Sequence, residues 1–97
     1  MLINTIIKKE ADRNEFMIQQ YEALLAELPK GSLVCRKGKY YYLKYREEGK
    51  ICDKYIGTNK ELVADIRSKL ELRHHYMEML SSLKQEQKMI RRMLEEI

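Results

Sequence analysis

The chain has 97 residues, of which 44% are hydrophobic and 35% charged, and its formal net charge is +4 at pH 7. This length supports one small domain and is short for an enzyme that encloses its substrate in a pocket. No segment approaches the roughly 18 apolar residues of a membrane span, and the apolar start, Met1 to Ile7, is too short for a secretory signal. We therefore expect a cytoplasmic, non-enzymatic protein that does not contact a membrane.

The distribution of turn residues predicts the architecture. The chain has four glycines and one proline, and all of them lie between Pro29 and Gly57. The flanking segments therefore lack the residues that most often break a helix. We predict a single α+β domain over residues 1–97. It consists of a helix over 1–29, a three-stranded antiparallel meander over 30–57 and a long helix over 58–97.

The first helix is predicted from about Ile3 to Leu28, and Pro29 ends it because the residue before a proline avoids helical geometry. Its expected inner side follows steps of three and four residues, with Glu10 as the one charged interruption. The residues on this stripe are Ile3, Ile7, Asn14, Met17, Tyr21, Leu24 and Leu28. An alternative stays open in which Asp12 caps a shorter helix and residues 1–11 form an arm.

The meander is predicted from three short β-like segments, with turns at Lys37-Gly38 and at Glu47-Glu48-Gly49. Charge concentrates here. Residues 30–57 carry eight basic and three acidic side chains, a net charge of +5, against −2 for residues 1–29 and +1 for residues 58–97. Such a basic segment attracts nucleic acid or an acidic partner.

Strand alternation divides the tyrosine-rich central segment into two faces. One face carries Tyr40, Tyr42, Lys44 and Arg46. The other, with Tyr41, Leu43 and Tyr45, is more apolar and is expected to pack on the helices. The first face suits phosphates and unstacked bases, and its predicted binding residues are Arg36, Lys37, Lys39, Tyr40, Tyr42, Lys44, Arg46 and Lys54. The alternative is an amphipathic sheet whose tyrosines and lysines only pair with each other across strands.

The second helix is predicted to begin at Thr58 or Asn59, where Thr58 and Glu61 fit a capping box, and to continue to Ile97. One apolar line comprises Leu62, Ile66, Leu70, Met77 and Leu80. A second line, with Gln87 at its remaining position, keeps the alternating steps of a coiled-coil seam: Tyr76, Leu80, Leu83, Ile90, Leu94 and Ile97. We expect the first helix to cover part of this seam as an antiparallel partner, and a second copy of the chain to cover the rest in a homodimer.

Metal ligands and nucleophiles give a weak signal. Cys35 and Cys52 are 17 positions apart and form no CxxC pair, and His74 and His75 are adjacent, so they point in different directions on a helix. We expect no metal site, no cofactor and no catalytic residue. The cysteines are predicted to be buried free thiols on the two outer strands, and the histidines to lie on the solvated side of the second helix.

Three sequence motifs carry a family resemblance. They are Leu28 to Ser32 (LPKGS), Gly38 to Lys50 (GKYYYLKYREEGK) and Lys54 to Gly57 (KYIG). This layout, followed by a long charged helix, resembles a group of short proteins from Firmicutes and their phages or mobile elements. Basic hairpins near the starts of some transposases and recombinases are similar to a lesser degree. The resemblance implies a nucleic-acid or nucleoprotein target and assigns no catalytic residue.

The sequence leaves three functions open. The leading hypothesis is a non-enzymatic protein that binds nucleic acid or a nucleoprotein through the basic tyrosine-rich sheet. The second is an inhibitor of a bacterial defence nuclease, of the anti-CRISPR kind that the resemblance also implies, which would act by contact with a host nuclease. The third is a structural coiled-coil adaptor. Direct phosphate binding would be distinguished by a steep dependence on salt.

Overall fold

The computed structural model describes residues 2–96 and confirms the predicted α+β architecture. The chain forms a helix, three strands and a second helix in that order. These elements are α1 (Leu2–Ala26), β1 (Ser32–Arg36), β2 (Tyr40–Glu47), β3 (Lys50–Gly57) and α2 (Lys60–Glu96). None of the helices within residues 2–96 combines the length and apolar content that crossing a bilayer requires.

Helix α1 is continuous over 25 residues, so the segment before Asp12 is helix and not an arm. The phase of its inner side differs from the predicted stripe. Ile3 and Leu24 are exposed, whereas Ile18 is buried and Leu25 is half-buried. The helix also carries a second apolar stripe that includes Leu24, and the prediction combined residues of the two stripes.

The three strands form one antiparallel sheet in the order β1-β2-β3, as the meander predicts. Glu47 pairs with Lys50 across a two-residue turn formed by Glu48 and Gly49, whose φ angles are 51° and 79°. Two central residues with positive φ define a type I′ turn, whose twist matches that of antiparallel strands. The turn therefore fixes which residue of β3 lies opposite each residue of β2.

A β-bulge interrupts the pairing of β2 with β3. Tyr42 lies opposite Tyr55 and Tyr41 lies opposite Gly57, so Ile56 is the extra residue on β3. A bulge adds a residue on one strand and increases the local twist. It therefore ends the regular alternation of β3 just beyond Tyr55.

Asn59 caps helix α2. Its side-chain Oδ1 accepts hydrogen bonds from the backbone N–H groups of Glu61 at 2.9 Å and Leu62 at 3.3 Å. These donors would otherwise lack a partner in the first turn of the helix. Of the two predicted caps, Asn59 and not Thr58 is the one that the structure uses.

The chain divides into two compact units, which are described separately. The hairpin unit comprises residues 2–27 and 75–96, and the sheet unit comprises residues 28–74. The sheet unit contains all three strands and the first part of α2, with Leu43 and Val63 as its buried apolar residues. The prediction of a single domain over residues 1–97 stays a prediction, because α2 belongs to both units.

In the hairpin unit, α1 runs antiparallel to the C-terminal part of α2. The rings of Tyr21 and Tyr76 meet at 5.5 Å, and Asn14 Nδ2 donates to the backbone oxygen of Leu83 at 2.9 Å. Later residues of α2 therefore lie beside earlier residues of α1. The buried residues of this unit are Asn14, Ile18, Leu83 and Ile90.

The predicted dimer seam is the surface of α2 that packs on α1. Leu83 and Ile90 are buried, Tyr76, Leu80 and Leu94 are half-buried, and Ile97 lies outside the described residues. Because α1 already covers these side chains within one chain, the seam is not free for a second copy. Dimer formation itself stays a prediction and requires another surface.

Candidate nucleic-acid interface

The sheet register brings basic and aromatic side chains together on one face. Directly opposed residues of antiparallel strands lie on the same side of a sheet. Tyr42 lies between Val34 of β1 and Tyr55 of β3, and Arg36 lies opposite Tyr40. We call this side the arginine–tyrosine face, defined by Arg36, Tyr40, Tyr42, Lys44, Arg46 and Tyr55.

The centre of this face is a stack of three side chains. The guanidinium carbon of Arg36 lies 4.5 Å from the centroid of the Tyr42 ring, and the rings of Tyr42 and Tyr55 are 5.2 Å apart. A guanidinium over a tyrosine ring is attracted by the negative face of the ring. Arg36 is therefore held above the sheet with its charge next to two aromatic rings.

Asp53 fixes the other side of the guanidinium. Arg36 Nη2 lies 3.3 Å from Asp53 Oδ2, and the two side chains are 50% and 38% exposed. An exposed ion pair contributes at most about 1 kcal/mol to stability. Its main consequence is positional, because it restricts Arg36 to one orientation while other N–H donors of the guanidinium stay available.

An open hollow of about 540 Å³ adjoins the stack and is lined by Arg36, Lys37, Tyr40, Tyr42 and Tyr55. Cations and tyrosine rings therefore surround the same space. Tyr55 is 55% exposed, so its ring offers a free surface to a ligand. Guanidinium and ammonium groups bind phosphates, and exposed tyrosine rings stack on unpaired bases.

The remaining cations extend this surface. Lys39 Nζ lies 5.1 Å from the centroid of the Tyr40 ring, and Lys37 lies in the turn between β1 and β2. Lys44 and Arg46 are exposed along β2. The structure thus brings Arg36, Lys37, Tyr40 and Tyr42 together around the hollow, with the other three residues nearby on the same strands or turn.

Lys54 does not join this group. The register places it opposite Leu43, which is buried, so Lys54 lies on the other face of the sheet. The prediction placed it beside the binding face because it did not use the register that the Glu48-Gly49 turn sets between β2 and β3. The same register adds Tyr55 and Asp53, which the sequence analysis did not include. Pairing the residues of β2 and β3 one by one, outward from the Glu48-Gly49 turn, places both on this face.

The opposite face has the more apolar character that the alternation predicts. Leu43 is buried, and Tyr41 and Tyr45 are half-buried. On the arginine–tyrosine face, Lys44 and Arg46 are exposed. The buried side chain of β2 therefore lies on the apolar face, and the exposed cations lie on the arginine–tyrosine face.

The cysteines lie on the predicted strands, but they are more exposed than predicted. Cys35 in β1 and Cys52 in β3 are free cysteines, and they are exposed and half-buried respectively, not buried. Both lie on outer strands of a three-stranded sheet, where a neighbouring strand covers only one side. His74 and His75 are exposed, as predicted. Among residues 2–96, no cluster of three or more histidine, cysteine or acidic side chains is arranged to hold a metal ion.

A family model described as "Domain of unknown function (DUF6788)" matches residues 7–68 of the chain. This match covers more than half of the sequence, including the whole sheet, and the chain therefore belongs to this family. The chain matches no curated protein. It also matches no solved structure.

Proposed function

We propose that this DUF6788 member is a non-enzymatic protein that binds nucleic acid, free or within a nucleoprotein complex, through its arginine–tyrosine face. The observation that carries the proposal is the stack of Arg36, Tyr42 and Tyr55 beside an open hollow. It combines a phosphate-binding group with an exposed aromatic surface within one small area. The ring of Tyr55 is 55% exposed, and the buried residue Leu43 lies on the opposite face of the sheet.

Electrostatics support the same surface. Residues 30–57 carry a net charge of +5, and the basic residues that the structure places around the face are exposed. A positive field accelerates the approach of a polyanion, and each phosphate contact displaces counterions. The resemblance of the LPKGS and GKYYYLKYREEGK motifs to proteins of phages and mobile elements favours the same class of target.

The proposal is tested by titrating single-stranded DNA, single-stranded RNA and duplex DNA, with fluorescence anisotropy at several salt concentrations. Lys44→Ala and Arg46→Ala are expected to weaken binding and to reduce the salt slope by about one unit for each lost phosphate contact. Tyr55→Ala is expected to weaken binding by about 1–3 kcal/mol with little change in slope, because a stacking surface is lost.

Lys54→Ala is the matched control, since it removes the same charge as Lys44→Ala but from the opposite face. It is expected to change affinity less than Lys44→Ala does. Circular dichroism must show that each variant is folded. Equal losses from Lys44→Ala and Lys54→Ala would contradict a specific face. Failure of the wild type to bind any nucleic acid would instead favour an inhibitor that contacts a nuclease protein.

A further inference from the structure

The hairpin unit has two flanks of different chemistry on either side of its core line. On one flank, α1 presents residues at alternating steps of four and three: Ile6, Glu10, Arg13, Met17, Gln20 and Leu24. On the same flank, α2 presents Met79, Ser82, Glu86, Met89 and Met93 at equivalent steps. A hollow of about 260 Å³ lined by Glu10, Arg13, Asn14, Met17, Leu83 and Glu86 shows that the two series lie on one side. We call this side the methionine flank.

The other flank carries mostly charged side chains, together with Met77, which is 51% exposed, and it contains an ion pair within the chain. Lys84 Nζ lies 3.8 Å from Glu22 Oε1. A second hollow, of about 190 Å³, includes Glu15 and Arg91 in its lining, so the same side carries further charges of both signs. A flank of this kind is typical of a solvated helix surface. The two sides of the helix pair therefore differ in composition: one carries mostly charged side chains, and the other carries several exposed apolar side chains.

The methionine flank leaves apolar side chains in water. Met89 is 59% exposed, Ile6 52%, Met93 46% and Leu24 41%. Only four residues of the described hairpin unit are buried, and one of them is the polar Asn14. Two helices alone present little inner surface, and helix bundles gain stability by adding further helices. The apolar flank is the side on which such a layer would lie.

The charges of this flank favour a second copy of the chain as its partner. The flank carries both signs of charge close together, with Arg13 next to Glu10 and Glu86 around one hollow. Across a two-fold axis, the same patch faces itself, so Arg13 of one copy can meet a carboxylate of the other. Alternating steps of three and four residues on both helices are also the pattern of a four-helix bundle.

We propose that two copies of this protein associate through the methionine flank into a four-helix bundle, in which each hairpin keeps its own Leu83 and Ile90 seam. The proposal is independent of nucleic-acid binding, because the arginine–tyrosine face belongs to the sheet unit. It also replaces the seam predicted from sequence as the dimer contact.

Adjacent serines provide a crosslinking test. Ser82 lies on the methionine flank, and Ser81 is displaced by about 100° toward the outer side of α2. Ser82→Cys and Ser81→Cys are made separately in the 97-residue chain with Cys35→Ser and Cys52→Ser. Under mild oxidation, Ser82→Cys is expected to form an intermolecular disulfide at least tenfold faster than Ser81→Cys. Equal rates at the two positions would overturn the proposal.

Sedimentation supplies an independent measurement. The wild type is expected to be a dimer at micromolar concentration. The double variant Met89→Lys and Met93→Lys is expected to raise the dimer dissociation constant at least tenfold with helicity retained. Phe16→Lys is the matched control, because Phe16 is 61% exposed but lies on the outer side of α1, and it is expected to stay dimeric. A wild type that sediments as a monomer, or a control that dissociates as much as the double variant, would overturn the proposal.

Discussion

The sheet unit and the hairpin unit obtain their order from contacts of very different range. In the sheet unit, each strand pairs with the next strand along the chain, and short turns set the register. In the hairpin unit, the hydrogen bond from Asn14 to Leu83 joins residues 69 positions apart. The comparison shows that one short chain combines a locally encoded surface with a helix pair whose alignment depends on distant residues.

The two units also differ in what they leave unsatisfied. The sheet unit buries Leu43 and Val63 and exposes a cationic, aromatic face. The hairpin unit buries an asparagine whose Oδ1 has no hydrogen-bond partner among the described residues. A unit with local, satisfied contacts should tolerate changes in the other unit, and the following substitutions test that independence.

The largest effect is expected from Gly31→Ala in the sheet unit. Gly31 has a φ of +113°, and a Cβ atom there would overlap the backbone oxygen of Lys44. Strain and overlap together should cost about 3–5 kcal/mol. Near-ultraviolet circular dichroism is the appropriate measurement, because five of the seven tyrosines lie in this unit. The tyrosine signal should be lost at lower temperature than in the wild type.

Gly38→Ala is the control for Gly31→Ala. Its φ is +74°, but nothing lies within 4 Å of the added Cβ, so only the backbone cost of about 1 kcal/mol remains. Similar destabilisation by the two alanines would show that the close approach at Lys44 is unimportant. Equal loss of order in α1 and in the sheet with Gly31→Ala would show that the two units unfold as one.

A smaller effect is expected from Leu83→Ala in the hairpin unit. Leu83 is buried against α1, and truncation of a buried leucine costs about 2–5 kcal/mol, with the low end expected where so few residues surround it. Hydrogen exchange should show reduced protection in α1 and unchanged protection in β2. Met77→Ala, at an exposed position of the same helix, is the control. If Leu83→Ala reduced protection in β2 as much as in α1, the two units would not unfold independently.

The smallest effect is expected from Asn14→Leu, and it has the opposite sign. Asn14 is 1% exposed, and its Nδ2 donates to the backbone oxygen of Leu83 and to Glu86 Oε1, whereas its Oδ1 has no partner among the described residues. We expect the desolvation cost of this unpaired acceptor to exceed slightly the net value of the two hydrogen bonds. We expect the free energy of unfolding, measured by chemical denaturation, to rise by about 1 kcal/mol. Asn14→Ala should instead lower stability, because it leaves a cavity. A loss with leucine would indicate that Oδ1 has a partner in solution.

The helices show where sequence reasoning succeeds and where it fails. The absence of glycine and proline outside residues 29–57 predicted both helices, and the β-like segments with their glycine turns predicted the sheet between them. The inner side of α1 was predicted wrongly at Ile3 and Leu24, because two overlapping stripes share the helix. Periodicity alone does not say which stripe faces α2, and only the contact with Leu83 selects it.

The candidate face was predicted more completely, for a related reason. Alternation along β2 assigned Tyr42, Lys44 and Arg46 correctly to one side, because the sheet has a period of two residues and a short turn at each end of the strand. The errors fell on β3. Lys54 and Tyr55 depend on a register across strands, and a prediction made strand by strand does not contain it.

The hydrogen bond from Arg73 Nη1 to the backbone oxygen of Leu28, at 3.4 Å, has a consequence for the order of folding. These residues lie near the two ends of the sheet unit, whose residues 28–74 separate the two segments of the hairpin unit in the sequence. Closing a long flexible loop costs entropy that grows with its length. Once the sheet unit has formed from its local contacts, its ends are held together, and most of that cost has been met before Asn14 reaches Leu83. We therefore expect the sheet unit to form before the hairpin unit. A higher φ-value at Leu83 than at the buried residues of the sheet unit would contradict this order.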